Sequence, residues 1–148
     1  MALAATSILN SLGSKPGTLT TQRAKAMAEY SADIVKRVVA HVWKGNQREA
    51  ALAILDLVSG YGGEAARARL QVAAIKLSGG SLKSLEDWVQ SANGDFRDVL
   101  AAAEYPGQFE AGFLEPSDPK QVKLGKADLT QYELWLKRVG ADDVEPFV

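Results

Sequence analysis

The sequence predicts an all-α fold: a compact bundle of five to six helices, an irregular strap over about residues 107–127, and a C-terminal helix. Apolar residues recur at three- and four-residue spacing along most of the chain, which is the period of one helix face. Glycine-rich breaks separate these stretches, and residues that cap helices follow the breaks. No stretch alternates apolar and polar residues in the way that a half-buried β-strand does.

The first helix is predicted from about Thr20 to Trp43, with Thr18, Thr20 or Thr21 as its cap. Gly45 is predicted to end it, because glycine adopts the left-handed conformation at a helix C-terminus without strain. The apolar stripe comprises Met27, Ser31, Ile34, Val38, His41 and Val42.

Two further helices follow in the middle of the chain. A helix is predicted over Gln47–Ser59, with Asn46 as its cap. The almost uninterrupted apolar run in this helix predicts a central, largely buried element. The next helix is predicted over Glu64–Leu77. Its inner stripe is predicted to be Ala66, Leu70, Ala73, Ala74 and Leu77, with Arg67, Arg69 and Lys76 outside.

Polar caps define the remaining helices. Ser81 begins a fourth helix, and Asp95 begins a short fifth helix that Pro106 prevents from continuing. Residues 107–127 hold several Gly and Pro together with aromatic residues, which predicts a strap packed across the helices. A final helix is predicted over Asp128–Arg138. The domain organisation is predicted as an N-terminal arm over residues 1–17 and a single α-helical domain over 18–148.

Composition narrows the chemistry that the chain can perform. Its 148 residues include no cysteine and one histidine, so a thiolate nucleophile, a disulfide or a thiolate metal site is excluded. His41 has no catalytic motif around it in the sequence, and no Gly-x-Ser-x-Gly or phosphate-loop motif is present. We therefore predict no catalytic residue, no metal site and no cofactor.

Charge and hydropathy bear on partners and location. Residues 1–60 carry seven Lys/Arg against four Asp/Glu, whereas residues 93–148 carry six against eleven. This modest asymmetry does not favour nucleic acid, which requires clustered positive charge. No segment reaches the roughly 20 apolar residues that a membrane span needs. We expect a cytoplasmic protein that binds another protein and no membrane, and we leave a homo-oligomer open.

Two segments carry a resemblance to a known family. Asp95–Pro106 reads D-F-R-D-V-L-A-A-A-E-Y-P, and Trp43–Glu49 reads W-K-G-N-Q-R-E. These segments resemble a family of small uncharacterised bacterial proteins with a D-[YF]-R-D-V-x-x-x-A-E-Y-P signature. The family has no established activity, so the resemblance implies only a similar fold and a bacterial origin.

The leading functional hypothesis is a noncatalytic protein-protein interaction module. It rests on the absence of an assembled catalytic motif, on tryptophans at the edges of predicted apolar stripes and on the long strap with its apolar anchors. The alternative is an enzyme or small-ligand binder with a polar pocket around Arg97, Asp98, Glu104 and His41. Ordinary capping and packing would also account for these residues. The candidate partner- or ligand-binding residues are Trp43, Arg48, Trp88, Arg97, Asp98, Glu104, Tyr105 and Trp135.

Overall fold

The computed structural model describes residues 29–59 and 62–144, and it confirms the all-α class. Seven helices and no β-strand occur in these two ranges, so the helix count exceeds the predicted five to six. The helices are α1 (Ala32–Val42), α2 (Asn46–Leu55), α3 (Glu64–Ser78), α4 (Leu82–Gly94), α5 (Phe96–Glu104), α6 (Pro106–Ala111) and α7 (Pro119–Arg138).

All seven helices belong to one compact unit, Tyr30–Asp142. Only Glu29, Asp143 and Val144 are described from the second unit of the chain. The predicted N-terminal arm, residues 1–17, lies outside the described residues.

Helix α3 is the central element of this unit, and it packs against α1, α4 and α5. Its sequence is rich in small and aliphatic residues on every side, which suits a helix surrounded by others. The prediction that the second helix would be central is wrong, because only Ala51 and Leu55 of α2 are buried. Eight residues of α3 are buried: Ala68, Leu70, Gln71, Val72, Ala73, Ala74, Ile75 and Ser78.

Helix α1 begins later than the predicted helix. Ser31 is its N-cap, and the Ser31 side chain accepts a hydrogen bond of 3.3 Å from the Ile34 amide. Glu29 and Tyr30 are not helical, so a continuous helix from Thr20 is wrong, and Thr20 itself lies outside the described residues. Serine binds the first amides of a helix well, which explains why the helix starts at a residue assigned to its stripe.

The turn between α1 and α2 also differs from the prediction. Helix α1 ends at Val42, with Trp43 extended, whereas Gly45 has φ 58° and immediately precedes α2. The Arg48 guanidinium donates to the carbonyl oxygens of Ala40 (3.1 Å) and Trp43 (2.9 Å). An arginine side chain therefore satisfies C-terminal carbonyls of α1, and Gly45 redirects the chain into α2.

The predicted strap over 107–127 is wrong, because most of it is helical. Pro106 and Pro119 occupy the first positions of α6 and α7. Proline is favourable there because the first helical amides have no intrahelical acceptor. Pro119, which suggested irregular structure, therefore starts a helix, and Pro106, which was predicted only to stop the helix before it, starts another. Gly112 ends α6 with φ 82°, and Gly125 lies inside α7.

We predict that Trp43→Ala destabilises the protein more than Trp88→Ala does. Trp43 is 2% exposed, and its indole Nε1 donates to the Gly80 carbonyl at 2.9 Å, whereas Trp88 is only half-buried. The Trp43 variant should lose roughly 3–5 kcal/mol of unfolding free energy, since truncation leaves a cavity. Urea unfolding followed by circular dichroism measures both variants. Equal losses would contradict the central placement of Trp43.

Candidate functional site

The structure distributes the predicted site residues over several places. Trp43 is in the core, and the Arg48 guanidinium donates hydrogen bonds to carbonyl oxygens at the end of α1. Trp88 and Trp135 are both half-buried, and the Trp135 ring stacks on Tyr132 with 6.2 Å between centroids. Packing therefore explains the core position of Trp43 and the stacking of Trp135 on Tyr132.

The predicted polar pocket around Arg97, Asp98, Glu104 and His41 is not formed. Arg97 and Asp98 are exposed on the first turn of α5, and the Arg97 Nε lies 3.4 Å from Asp95 Oδ1. His41 is exposed, and its Nδ1 lies 3.1 Å from the Arg37 carbonyl oxygen of the same helix. The side chain of Glu104, in contrast, is fully buried.

Glu104 forms a partly buried ion pair with Arg69, in which the Glu104 side chain is fully buried and the Arg69 side chain is 27% exposed. The Arg69 Nε donates to one carboxylate oxygen at 2.8 Å, and Nη2 donates to the other at 2.6 Å. This two-pronged geometry matches the planar guanidinium to the carboxylate. Arg69 was predicted to lie outside the stripe of its helix, and that prediction is wrong. The partners are 35 positions apart, so no local spacing indicates the pair.

Two tyrosines complete a group that we term the buried polar cluster: Tyr30, Arg69, Glu104 and Tyr132. The hydroxyls of Tyr30 and Tyr132 are 2.7 Å apart and share a buried hydrogen bond. Burial raises the pKa of Tyr30 to about 12 and holds the pKa of Tyr132 well above its usual value. Both phenols therefore keep their protons at neutral pH.

Burial and pairing act on the carboxyl of Glu104 in opposite directions. Burial raises its pKa, whereas the hydrogen bonds and positive charge of Arg69 lower it, and burial is the larger effect. The hydrogen-bonded carboxylate raises the pKa of Arg69, so the guanidinium stays charged. Glu104 thus depends on Arg69 for its stability as an anion in this environment.

A cavity of about 240 Å³ lies beside the buried polar cluster, between the end of α5, α6 and α7. Two predicted site residues that are adjacent in the sequence, Glu104 and Tyr105, contribute to its wall. The lining residues are Glu104, Tyr105, Gln108, Gly125, Asp128, Leu129 and Tyr132.

Asp128 holds α6 at one wall of this cavity. Its Oδ1 accepts from the Gly107 amide at 2.8 Å, and its Oδ2 accepts from the Gln108 amide and side-chain Nε2, both at 3.0 Å. A residue of α7 therefore caps the N-terminus of α6 across 21 and 20 positions, and its negative charge lies at the positive end of that helix. A Cβ at Gly107 would lie 2.9 Å from Asp128 Oδ1, which explains glycine at this position.

Asp128 also interacts electrostatically with Lys76 and is linked by hydrogen bonds to two glutamine side chains. Burial lowers the pKa of Lys76 on α3, and the negative charge of Asp128 opposes that effect. The Gln121 amide donates to the Gln108 side-chain oxygen, so Asp128, Gln108 and Gln121 form a hydrogen-bonded chain.

Three aromatic residues form the outer side of this region, which we term the aromatic surface: Tyr105, Phe109 and Phe113. Phe113 packs edge-on against Phe109 and Tyr105, with centroid separations of 6.2 and 6.3 Å. Phe109 is 40% exposed and Phe113 is 50% exposed. Phe113 also has φ 55°, which a bulky L-residue adopts only with strain. Tyr105 belongs to both the aromatic surface and the cavity wall.

Comparison with protein-family models, curated proteins and solved structures finds no match to this chain. The resemblance to the bacterial signature family therefore stays a prediction. Within the described ranges, no group of three His, Asp or Glu side chains is placed to hold a metal ion. No helix in the described part of the chain is long and apolar enough to cross a membrane.

We predict that Arg69→Met lowers the unfolding free energy by about 3–5 kcal/mol at pH 7, because it leaves the buried Glu104 charge unpaired. Without Arg69 the pKa of Glu104 rises further, so the folded variant binds a proton at a higher pH than the unfolded chain does. Stability therefore falls as pH rises, and the deficit should be larger at pH 7 than at about pH 4.5.

Lys83→Met is the matched control for this experiment. The Lys83–Asp87 pair is exposed, with 78% and 61% of the two side chains accessible, so its loss should change stability by less than about 1 kcal/mol. Urea unfolding at both pH values tests the prediction. A deficit for Arg69→Met that is independent of pH would contradict the role given to Glu104.

We also predict that Asp128→Ala loosens α6. Loss of the tertiary cap should lower the unfolding free energy by about 1–2 kcal/mol and speed hydrogen exchange at the Gly107 and Gln108 amides. Asp118→Ala is the control, because Asp118 caps α7 through the Lys120 amide at 2.9 Å. Unchanged exchange at Gly107 in the Asp128 variant would rule out the cap.

Proposed function

We propose that this chain is a noncatalytic protein-interaction module of a bacterial cytoplasmic protein and that it binds its partner through the aromatic surface. The bacterial origin rests on the Asp95–Pro106 signature, and the compartment rests on the cysteine-free composition. The observation that carries the proposal is Phe113, a half-exposed phenylalanine in a strained backbone conformation.

Folding stability alone does not explain the backbone conformation of Phe113, which has φ 55°. A residue held at positive φ costs on the order of 1–3 kcal/mol, and such residues concentrate at functional sites. Gly112 before it already has φ 82°, so two consecutive residues adopt the left-handed region. Glycine or asparagine at position 113 would relieve the strain, whereas phenylalanine places an aromatic ring at the surface.

The neighbouring aromatic residues extend this ring into a contact surface. Phe109 and Tyr105 hold Phe113 by edge-to-face packing, so little side-chain freedom remains to be lost on binding. Exposed aromatic residues next to a small cavity are typical of the residues that contribute most of the energy at protein interfaces.

The polar groups nearby favour binding over catalysis. The Glu104 carboxylate is held by Arg69, and the Asp128 carboxylate accepts three hydrogen bonds from α6. A general base or nucleophile has to reach a substrate, and these carboxylates are committed to structural contacts.

We predict that Phe113→Gly abolishes partner binding and leaves the unfolding free energy within about 1 kcal/mol of wild type. Relief of the strain should offset the loss of a half-buried ring. Leu134→Ala is the control, because Leu134 is 57% exposed on α7 and does not belong to the aromatic surface. Circular dichroism first confirms that the wild-type chain and both variants have equal helix content. Each tagged 148-residue chain is then used to capture proteins from a lysate of the source organism.

The proposal requires one protein that wild type and Leu134→Ala recover and Phe113→Gly does not. Recovery of the same protein by all three forms, or of none by any form, would overturn it. Analytical sedimentation of the purified chain tests whether the partner is a second copy of the same chain. In that case wild type should be a dimer and Phe113→Gly a monomer.

A further inference from the structure

Four polar side chains in the wall of the cavity beside the aromatic surface, those of Glu104, Gln108, Asp128 and Tyr132, already have hydrogen-bond partners within the protein. Glu104 is held by Arg69, and the Tyr132 hydroxyl shares a hydrogen bond with Tyr30. Gln108 donates to Asp128 and accepts from Gln121. A polar or charged ligand would have to compete with these contacts, whereas an apolar group would leave them intact, so an apolar group is the favoured occupant.

The size of the cavity favours one side chain over a small molecule. Pockets for drug-sized ligands are typically about 300–1,000 Å³, and this cavity is about 240 Å³. A single large aliphatic or aromatic side chain from a partner is smaller than such ligands. Side chains that fill pockets at the centre of an interface are the usual anchors of protein complexes.

Gly125 forms part of the cavity wall on α7. It lies inside the 20-residue helix α7, where glycine costs roughly 1 kcal/mol relative to alanine. It lines the cavity, and a Cβ built there has Gln108 Nε2 at 3.9 Å as its nearest neighbour. Packing within the described residues therefore does not require glycine at this position, whereas a larger side chain would occupy the cavity.

The charge of this part of the chain indicates which residues flank the anchor. Between Asp98 and Asp118, a range that includes α6 and the aromatic surface, the sequence has five acidic residues and no Lys or Arg, whereas Lys120, Lys123 and Lys126 are exposed on α7. Arg69 neutralises Glu104, whereas Asp98, Glu110 and Glu115 are exposed. Complementary charge on a partner would be positive, and it would speed association and select among apolar segments.

We infer that the cavity between α5, α6 and α7 binds one large apolar side chain of a partner protein and that Lys or Arg residues flank this side chain in the partner. This inference rests on the proposed function and specifies its partner. Tyr105 connects the two parts of the surface, because it lines the cavity and contacts Phe113.

A phage-displayed library of random dodecapeptides, selected on the full-length chain, tests this inference because it samples many possible partner segments at once. We predict enriched peptides with one large apolar residue and nearby Lys or Arg. Synthetic versions should bind Gly125→Leu at least about tenfold more weakly than wild type, because the new side chain fills the cavity. Gly125→Ala is the matched control and should bind like wild type.

A second measurement does not depend on the folding of Gly125→Leu. Alanine in place of the apolar residue of the peptide should weaken binding to the wild-type chain by at least about tenfold. If this change has no effect, or if Gly125→Leu folds and binds as wild type does, the inference is overturned.

The same peptides distinguish this inference from the proposed function. Binding that Phe113→Gly loses and Gly125→Leu retains would overturn the cavity as the anchor site and leave the aromatic surface as the interaction site. Binding that both variants retain, or a selection that enriches no peptide, would overturn both.

Discussion

The Arg69–Glu104 ion pair fixes the part of the fold on which the candidate site depends. The fully buried carboxylate of Glu104 has to meet its partly exposed cation in good geometry, and this requirement constrains how α5 lies against α3. Glu104 is the last residue of α5, so the pair also fixes where the chain leaves that helix. The Tyr30–Tyr132 hydrogen bond adds the segment before α1 and the middle of α7 to the same cluster.

Helix α6 depends on this arrangement because it is too short to be stable alone. A helix of six residues is far below the roughly 12–15 residues at which isolated helices become marginally stable. Asp128 provides the missing contacts from α7, and Pro106 fixes the first backbone angle. The position of Phe109 and Phe113 at the surface therefore follows from polar contacts made behind them.

These contacts show that different residues position the site and form its outer surface, whereas the hypotheses drawn from the sequence had assigned both roles to one set of residues. The carboxylates of Glu104 and Asp128 organise the site from within, whereas the aromatic rings of Phe109 and Phe113 are exposed to solvent. Binding energy at such a surface would come from burial of apolar groups, and charge would select the partner. This division of roles favours an interaction module over an enzyme.

The sequence by itself determined the features that depend on neighbours within one helical turn. Ser81 and Asp95 cap α4 and α5 as predicted, because a cap and the amides it binds lie within three positions. Pro106 was ambiguous, since proline both stops one helix and starts the next. Only the tertiary structure decided that Glu104 pairs with Arg69 and that α6 forms within the predicted strap. These outcomes depend on contacts between residues 20 and 35 positions apart, and no local pattern records which distant residues will meet when the helices pack.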